Sequence, residues 1–110
     1  MEQTMTPELF VQEFWELKEY IEKAYFSESS DISRVGRLQA AGFSPRQIEM
    51  TKSLVSEALT DALYTVLLGL EGSAAISCHQ EMYKLLDESG RELTGKIESL
   101  AWERFHGKDA

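Results

Sequence analysis

The stretch that decides the fold is Ser53–Leu70, which reads SLVSEALTDALYTVLLGL. Its apolar residues recur at helical spacing and sweep roughly 220° of a helix surface, which is wider than a surface helix needs. Tyr64 and Leu68 close the remaining arc near the C-terminal end. We therefore expect a central helix that neighbouring elements cover on most sides. A membrane span is disfavoured because Glu57 and Asp61 interrupt the apolar run near its middle.

A chain of 110 residues can bury a core without the help of disulfides or a metal, so we expect a single domain over residues 1–110, with 1–5 and 107–110 frayed. The lone Cys78 cannot form an internal disulfide, and no secretory leader is recognised ahead of the first helix. A cytoplasmic, reducing compartment is therefore the expected location.

The charge of the chain is strongly acidic and uneven. Nineteen acidic residues oppose eleven basic ones, for a net charge of −8. This balance repels nucleic acid and anionic membranes and favours a basic protein partner. Residues 1–31 carry eight acids and two lysines, whereas residues 32–52 carry four bases and one acid. An anion-binding surface should involve one or more bases of this segment: Arg34, Arg37, Arg46 or Lys52.

The first helix is predicted to start at Thr6, which supplies a hydroxyl cap ahead of Pro7, and to run to about Phe26. The predicted apolar seam comprises Phe10, Phe14, Leu17, Ile21 and Ala24. Val11, Trp15 and Tyr25 are expected on its flank. Three glutamates point away from the seam, either as a solvated face or as the candidate partner-binding residues of this protein: Glu13, Glu16 and Glu19.

A short second helix is expected to be capped by Ser30 or Asp31 and to end at Gly42. The third helix has the sharpest start signal, since Ser44 and Gln47 have the spacing of a capping box around Pro45. Whether this helix runs without interruption into the central stretch, or bends around residues 51–53, stays open at this stage.

After the third helix, residues 73–81 have no assignable pattern. Two short segments, 82–86 and 91–94, flank Asp87–Gly90, a tetrapeptide typical of a type I turn in a bulged hairpin. A last helix is expected over about Lys96–His106. The predicted fold class is thus α+β, mainly α: about four helices around a central third helix, with one antiparallel β-hairpin before the last helix.

Catalytic and metal-binding chemistry finds little support in these residues. Cys78 and His79 are neighbours, so a hydrolase built on them is only the third functional hypothesis, because adjacent residues seldom supply an oriented nucleophile and base. Together with His106 they are the only thiol or imidazole groups. They lack the paired spacing of zinc sites, so we expect no catalytic residues, no metal and no cofactor.

The segment Leu38–Ile48, LQAAGFSPRQI, resembles the helix–turn–helix of MerR-type DNA-binding regulators. The resemblance implies, as the second functional hypothesis, a small regulatory DNA-binding domain. Only Arg46 and Lys52 are basic in the would-be recognition helix, and the net charge of −8 opposes DNA binding.

Three segments of the second half, ALYTVLLGLEG (62–72), YKLLDESG (83–90) and WERFHG (102–107), together resemble small bacterial single-domain proteins that include the immunity proteins of toxin systems. The resemblance covers about half of the chain and assigns no functional residue. It implies a non-enzymatic protein-binding domain of the toxin-neutralising immunity type, which is our first functional hypothesis. The oligomeric state stays open.

Overall fold

The computed structural model describes residues 4–107, and the predicted fraying at the two ends falls mostly outside this range. Within it the chain forms four helices: α1 (Pro7–Phe26), α2 (Val35–Ala40), α3 (Pro45–Gly69) and α4 (Ile97–His106). The prediction of a mainly helical protein with four helices is confirmed.

Helix α1 begins as predicted but buries a different face. The Thr6 hydroxyl accepts a hydrogen bond from the backbone N–H of Leu9 at 3.0 Å, and Pro7 occupies the first helical turn. Val11, expected on the flank, is only 2% exposed, whereas Leu17, expected in the seam, is 44% exposed. The reason is that α1 packs against both α3 and α4, which moves the centre of its buried face towards Val11 and Trp15.

Helix α2 is shorter than expected. It begins at Val35 after Arg34, which makes no capping hydrogen bond with its side chain. The predicted cap Ser30 instead donates its hydroxyl to the carbonyl of Ala24 near the end of α1. The end of α2 follows the prediction, because Gly42 has a φ of +87° and lets the chain reverse there.

Helix α3 is continuous over 25 residues, which settles the question that the sequence left open. Both bonds of the capping box are present: the Gln47 N–H donates to the Ser44 hydroxyl at 3.2 Å, and the Ser44 N–H donates to the Gln47 amide oxygen at 2.8 Å. At 1.5 Å per residue the helix is about 37 Å long.

The core lies where α1, α3 and α4 meet, each of them packing against the other two. Its buried members are Val11, Leu67, Ile97, Ala101 and Phe105. The wide apolar arc of α3 is covered only in part. Leu67 is completely buried, but Met50 and Leu54 in the first half of the helix are 64% and 58% exposed. The expectation of a helix covered on most sides therefore does not describe its first half.

The predicted antiparallel β-hairpin is not present as two continuous strands. Between α3 and α4 the chain forms two isolated antiparallel bridges, Glu71–Met82 and Leu86–Glu92, and no continuous strand in this fully described stretch. The turn itself is present, since the Gly90 N–H donates to the Asp87 carbonyl at 3.0 Å. The ladder does not extend because Tyr83 donates its N–H to the Leu70 carbonyl at the end of α3.

Candidate protein-binding surfaces

The outer face of α1 carries the three glutamates predicted to bind a partner. Glu13, Glu16 and Glu19 are all exposed. Helical spacing places Leu17 four residues after Glu13, and Tyr20 four residues after Glu16, so two apolar side chains lie among the acids. Tyr20 is 59% exposed and Leu17 44%. We call these five residues the α1 outer face.

The carboxylates of the α1 outer face make no ion pair within residues 4–107. The two ion pairs of this range are Lys18 with Glu22 and Arg91 with Asp87. Glu16 accepts one hydrogen bond, from the side-chain amide of Gln12 at 2.9 Å. The negative charge of this face is therefore available to cationic groups of another molecule.

Sequence reasoning missed Lys18, which lies on the opposite side of α1 and is only 6% exposed. Its ammonium group pairs with Glu22, donates to the Ser56 hydroxyl of α3 at 3.3 Å and lies 4.8 Å from the centre of the Trp15 ring. The spacing of Trp15, Lys18 and Glu22 on one helix side was the available signal. Lys18 joins α1 to α3 and is a structural residue of the scaffold behind the α1 outer face.

Of the four bases named for anion binding, two line a common cleft and two do not. Arg34 and Arg37 line an open cleft of about 470 Å³ between the end of α1, α2 and the middle of α3. Arg34 already donates to the Ile32 carbonyl at 2.8 Å and lies 5.0 Å from the Tyr25 ring centre. Arg46 and Lys52 do not line this cleft. Six residues apart on α3, they point in directions that differ by roughly 120°.

The cysteine and the two histidines are not assembled into a site. Cys78 and His79 are both exposed, and their Sγ and Nδ1 atoms lie 3.8 Å apart. His106 is on α4, where its ring packs edge-on against Tyr64 at 4.6 Å between centres and lies near Trp102. Among residues 4–107, no three His, Cys, Asp or Glu side chains are grouped so that they could hold a metal ion.

A second surface surrounds the start of α4, where sequence reasoning missed the role of Glu71. The carboxylate of Glu71 accepts hydrogen bonds from three backbone N–H groups, those of Gly95, Ile97 (2.7 Å) and Glu98 (3.0 Å). Lys96, at the position before the helix, makes no capping bond of its own. Glu71 is therefore the cap of α4, supplied from more than twenty residues earlier in the chain.

Next to this cap is an open cleft of about 420 Å³ with an aromatic and acidic lining, which includes Tyr64, Glu98 and Trp102. Trp102 is 57% exposed. Burial raises the pKa of the Tyr64 hydroxyl, and the negative charge of Glu98 raises it further. The cleft is a secondary candidate surface, because the Glu71 carboxylate in its lining is already engaged in capping α4.

Comparisons of the chain with protein-family models, with curated proteins and with solved structures found no match. None of the four helices within residues 4–107 combines the length and the apolar character that crossing a bilayer requires.

Proposed function

We propose that this chain is a non-enzymatic protein-binding domain that engages a basic partner protein through the α1 outer face. The observation that carries the proposal is the exposure of Tyr20 and Leu17 among Glu13, Glu16 and Glu19. An exposed tyrosine surrounded by charge is the composition expected of an interface anchor and its rim, because tyrosine buries a large rigid area and keeps a polar tip.

The negative net charge of the chain also favours a basic partner protein. Residues 1–31 carry a net charge of −6, from eight acids and two lysines, and the whole chain carries −8. Carboxylates at the edge of an interface attract a positively charged partner over a distance, which raises the rate of association more than it slows dissociation. The α1 outer face would thus steer a basic protein, and Tyr20 would anchor it.

The specific form that we propose is the neutralisation of a toxin in the cytoplasm. Its support is the sequence resemblance of the second half to immunity-type proteins and the single free thiol, Cys78, which is exposed and suits a reducing compartment. An inhibitor of this kind needs no catalytic group of its own, and its partner would present lysine or arginine side chains to the three glutamates.

The proposal is tested by reversing the three charges with Glu13→Lys, Glu16→Lys and Glu19→Lys together. The partner is the protein retained from a lysate of the source cell by the immobilised wild-type chain. Association with that purified partner is then followed by surface plasmon resonance at several salt concentrations. We expect slower association and a flatter salt dependence, with an unchanged circular dichroism spectrum, because exposed charges contribute little to folding.

A matched control separates a local effect from the effect of net charge. Glu81→Lys, Glu88→Lys and Glu103→Lys together change the charge by the same amount at three other exposed positions. If both triple variants slow association equally, or if neither does, the α1 outer face is not the binding surface. Tyr20→Ala should mainly speed dissociation, and an unchanged dissociation rate would remove tyrosine from the role of anchor.

A further inference from the structure

The side of α3 that faces away from α1 and α4 carries an exposed apolar stripe. Met50 and Leu54 are 64% and 58% exposed, and Ala58 and Ala62 are also exposed. Their spacing of four residues aligns them along one side of the helix over about three turns. We call these four residues the α3 stripe. The side chains in its first half, Met50 and Leu54, are large, and those in its second half, Ala58 and Ala62, are small.

Charged residues run along one edge of the stripe, and their sign changes along the helix. Arg46 lies at the N-terminal end, and Glu57 and Asp61 lie beyond the middle, all three exposed. At 100° per residue, Glu57 points within about 20° of the direction of Arg46, and Asp61 within about 60°. None of these three side chains belongs to an ion pair within residues 4–107.

We propose that the α3 stripe is an interface between two copies of this chain, with the two α3 helices packed antiparallel about a two-fold axis near Leu54. In this arrangement Met50 lies opposite Ala58 of the second copy, so that each large side chain meets a small one. Arg46 lies beside Asp61 of the second copy, one residue from the position directly opposite, because a two-fold axis perpendicular to the helices keeps corresponding edges on the same side. Both the shape and the charge of the stripe are therefore self-complementary.

A parallel arrangement of the two α3 helices fits worse in both shape and charge. Parallel helices would place Met50 against Met50 of the second copy, large against large. Their two-fold axis would run along the helices and put the charged edges of the two copies on opposite sides, so that Arg46 would not meet Asp61 of the second copy. The occupant that the α3 stripe fits is therefore a second copy in the antiparallel direction.

The area buried in this contact determines how tightly the two copies should associate. A single pair of helices buries less than the roughly 800 Å² per partner of a standard stable interface. The dimer should accordingly be weak and dependent on concentration. The α1 outer face lies on another helix, so the dimer does not depend on the proposed partner-binding function.

The test is sedimentation velocity of the full chain over a range of concentrations. The sedimentation coefficient of the wild-type protein should rise with concentration from a monomer value to a dimer value. Leu54→Glu should raise the dimer dissociation constant by at least about tenfold, because it removes a leucine from the contact and places two acids near the axis. The matched control is Leu17→Glu, a substitution of a similarly exposed leucine on α1, which should leave dimerisation unchanged.

Charge reversal tests the direction of the helices. Arg46→Glu alone and Asp61→Arg alone should each weaken the dimer, and the two together should restore it. In a parallel dimer Arg46 and Asp61 of the second copy would lie on opposite sides of the interface, so the double reversal would not restore what a single reversal changed. A wild-type chain that stays monomeric at all concentrations, equal effects of Leu54→Glu and Leu17→Glu, or single reversals without effect would each overturn the proposal. Circular dichroism of every variant confirms that the fold is retained.

Discussion

The carboxylate of Glu71 should be the most important single polar side chain for the stability of this fold. It accepts hydrogen bonds from the N–H groups of Gly95, Ile97 and Glu98 at the start of α4. Glu71→Ala would leave all three donors without this acceptor. Gly95 and Glu98 are exposed and can turn to water, but Ile97 is completely buried.

The magnitude follows from these contacts. Loss of a helix cap costs about 0.5–2 kcal/mol, and a buried donor left unpaired costs about 1–3 kcal/mol. Because the first cost is partly contained in the second, we expect Glu71→Ala to lower the free energy of unfolding by about 2–3 kcal/mol. Glu71→Gln keeps one carbonyl oxygen but loses the charge at the positive end of α4, so it should cost about 1 kcal/mol.

The assay is urea-induced unfolding followed by circular dichroism, combined with amide hydrogen exchange at Ile97 and Glu98. Exchange at these two amides should become faster in Glu71→Ala than elsewhere in the core. Glu88→Ala is the matched control, since Glu88 is an exposed glutamate of the turn. If Glu71→Ala lies within about 0.5 kcal/mol of wild type, as an ordinary surface substitution does, the capping role is refuted.

Three further predictions concern the other elements. Ser44→Ala should lower the free energy of unfolding by about 1 kcal/mol in urea, because the capping box of α3 loses the acceptor for the Gln47 N–H; an unchanged midpoint would contradict this. Leu67→Ala should cost about 2–5 kcal/mol by the same assay, since Leu67 is fully enclosed and its truncation leaves a cavity, whereas Leu54→Ala, at an exposed position, should cost far less. The Arg91 N–H and the Ser89 hydroxyl hold the pKa of Asp87 at about 2, below its ordinary 3.8. The contribution of this carboxylate to the turn is therefore complete above about pH 4 and is lost as the pH falls through about 2; the Ser89 and Arg91 amide shifts should follow it in NMR, and a midpoint near 4 would contradict the assignment.

The starts of α1 and α3 were predictable because their causes are local. Thr6 and Ser44 each bond an N–H three residues later, and the spacing that makes this possible is visible in the chain itself. The turn at Asp87 was predictable for the same reason, since its donors are within four residues. The α1 outer face was partly predictable, because Glu13, Glu16 and Glu19 were named from periodicity, but Tyr20 was not.

What the sequence could not determine depends on contacts between distant residues. Helical periodicity shows that α1 has an apolar side. The packing of α3 and α4 against it buries Val11 and Lys18 and leaves Leu17 exposed. Two continuous hairpin strands do not form because the backbone after residue 81 pairs with the end of α3. A local turn signal cannot reveal this competing pairing.

The amino-acid sequence by itself determined where α1 and α3 begin, where α2 and α3 end, and that the chain is acidic with a local excess of bases over acids in residues 32–52. Only the tertiary structure decided which apolar residues form the core and which form the exposed stripe of α3, and it alone brought Glu71 to the start of α4. The physical reason is that capping and turn bonds close within a few residues, whereas burial and long-range hydrogen bonds exist only once separate helices have packed together.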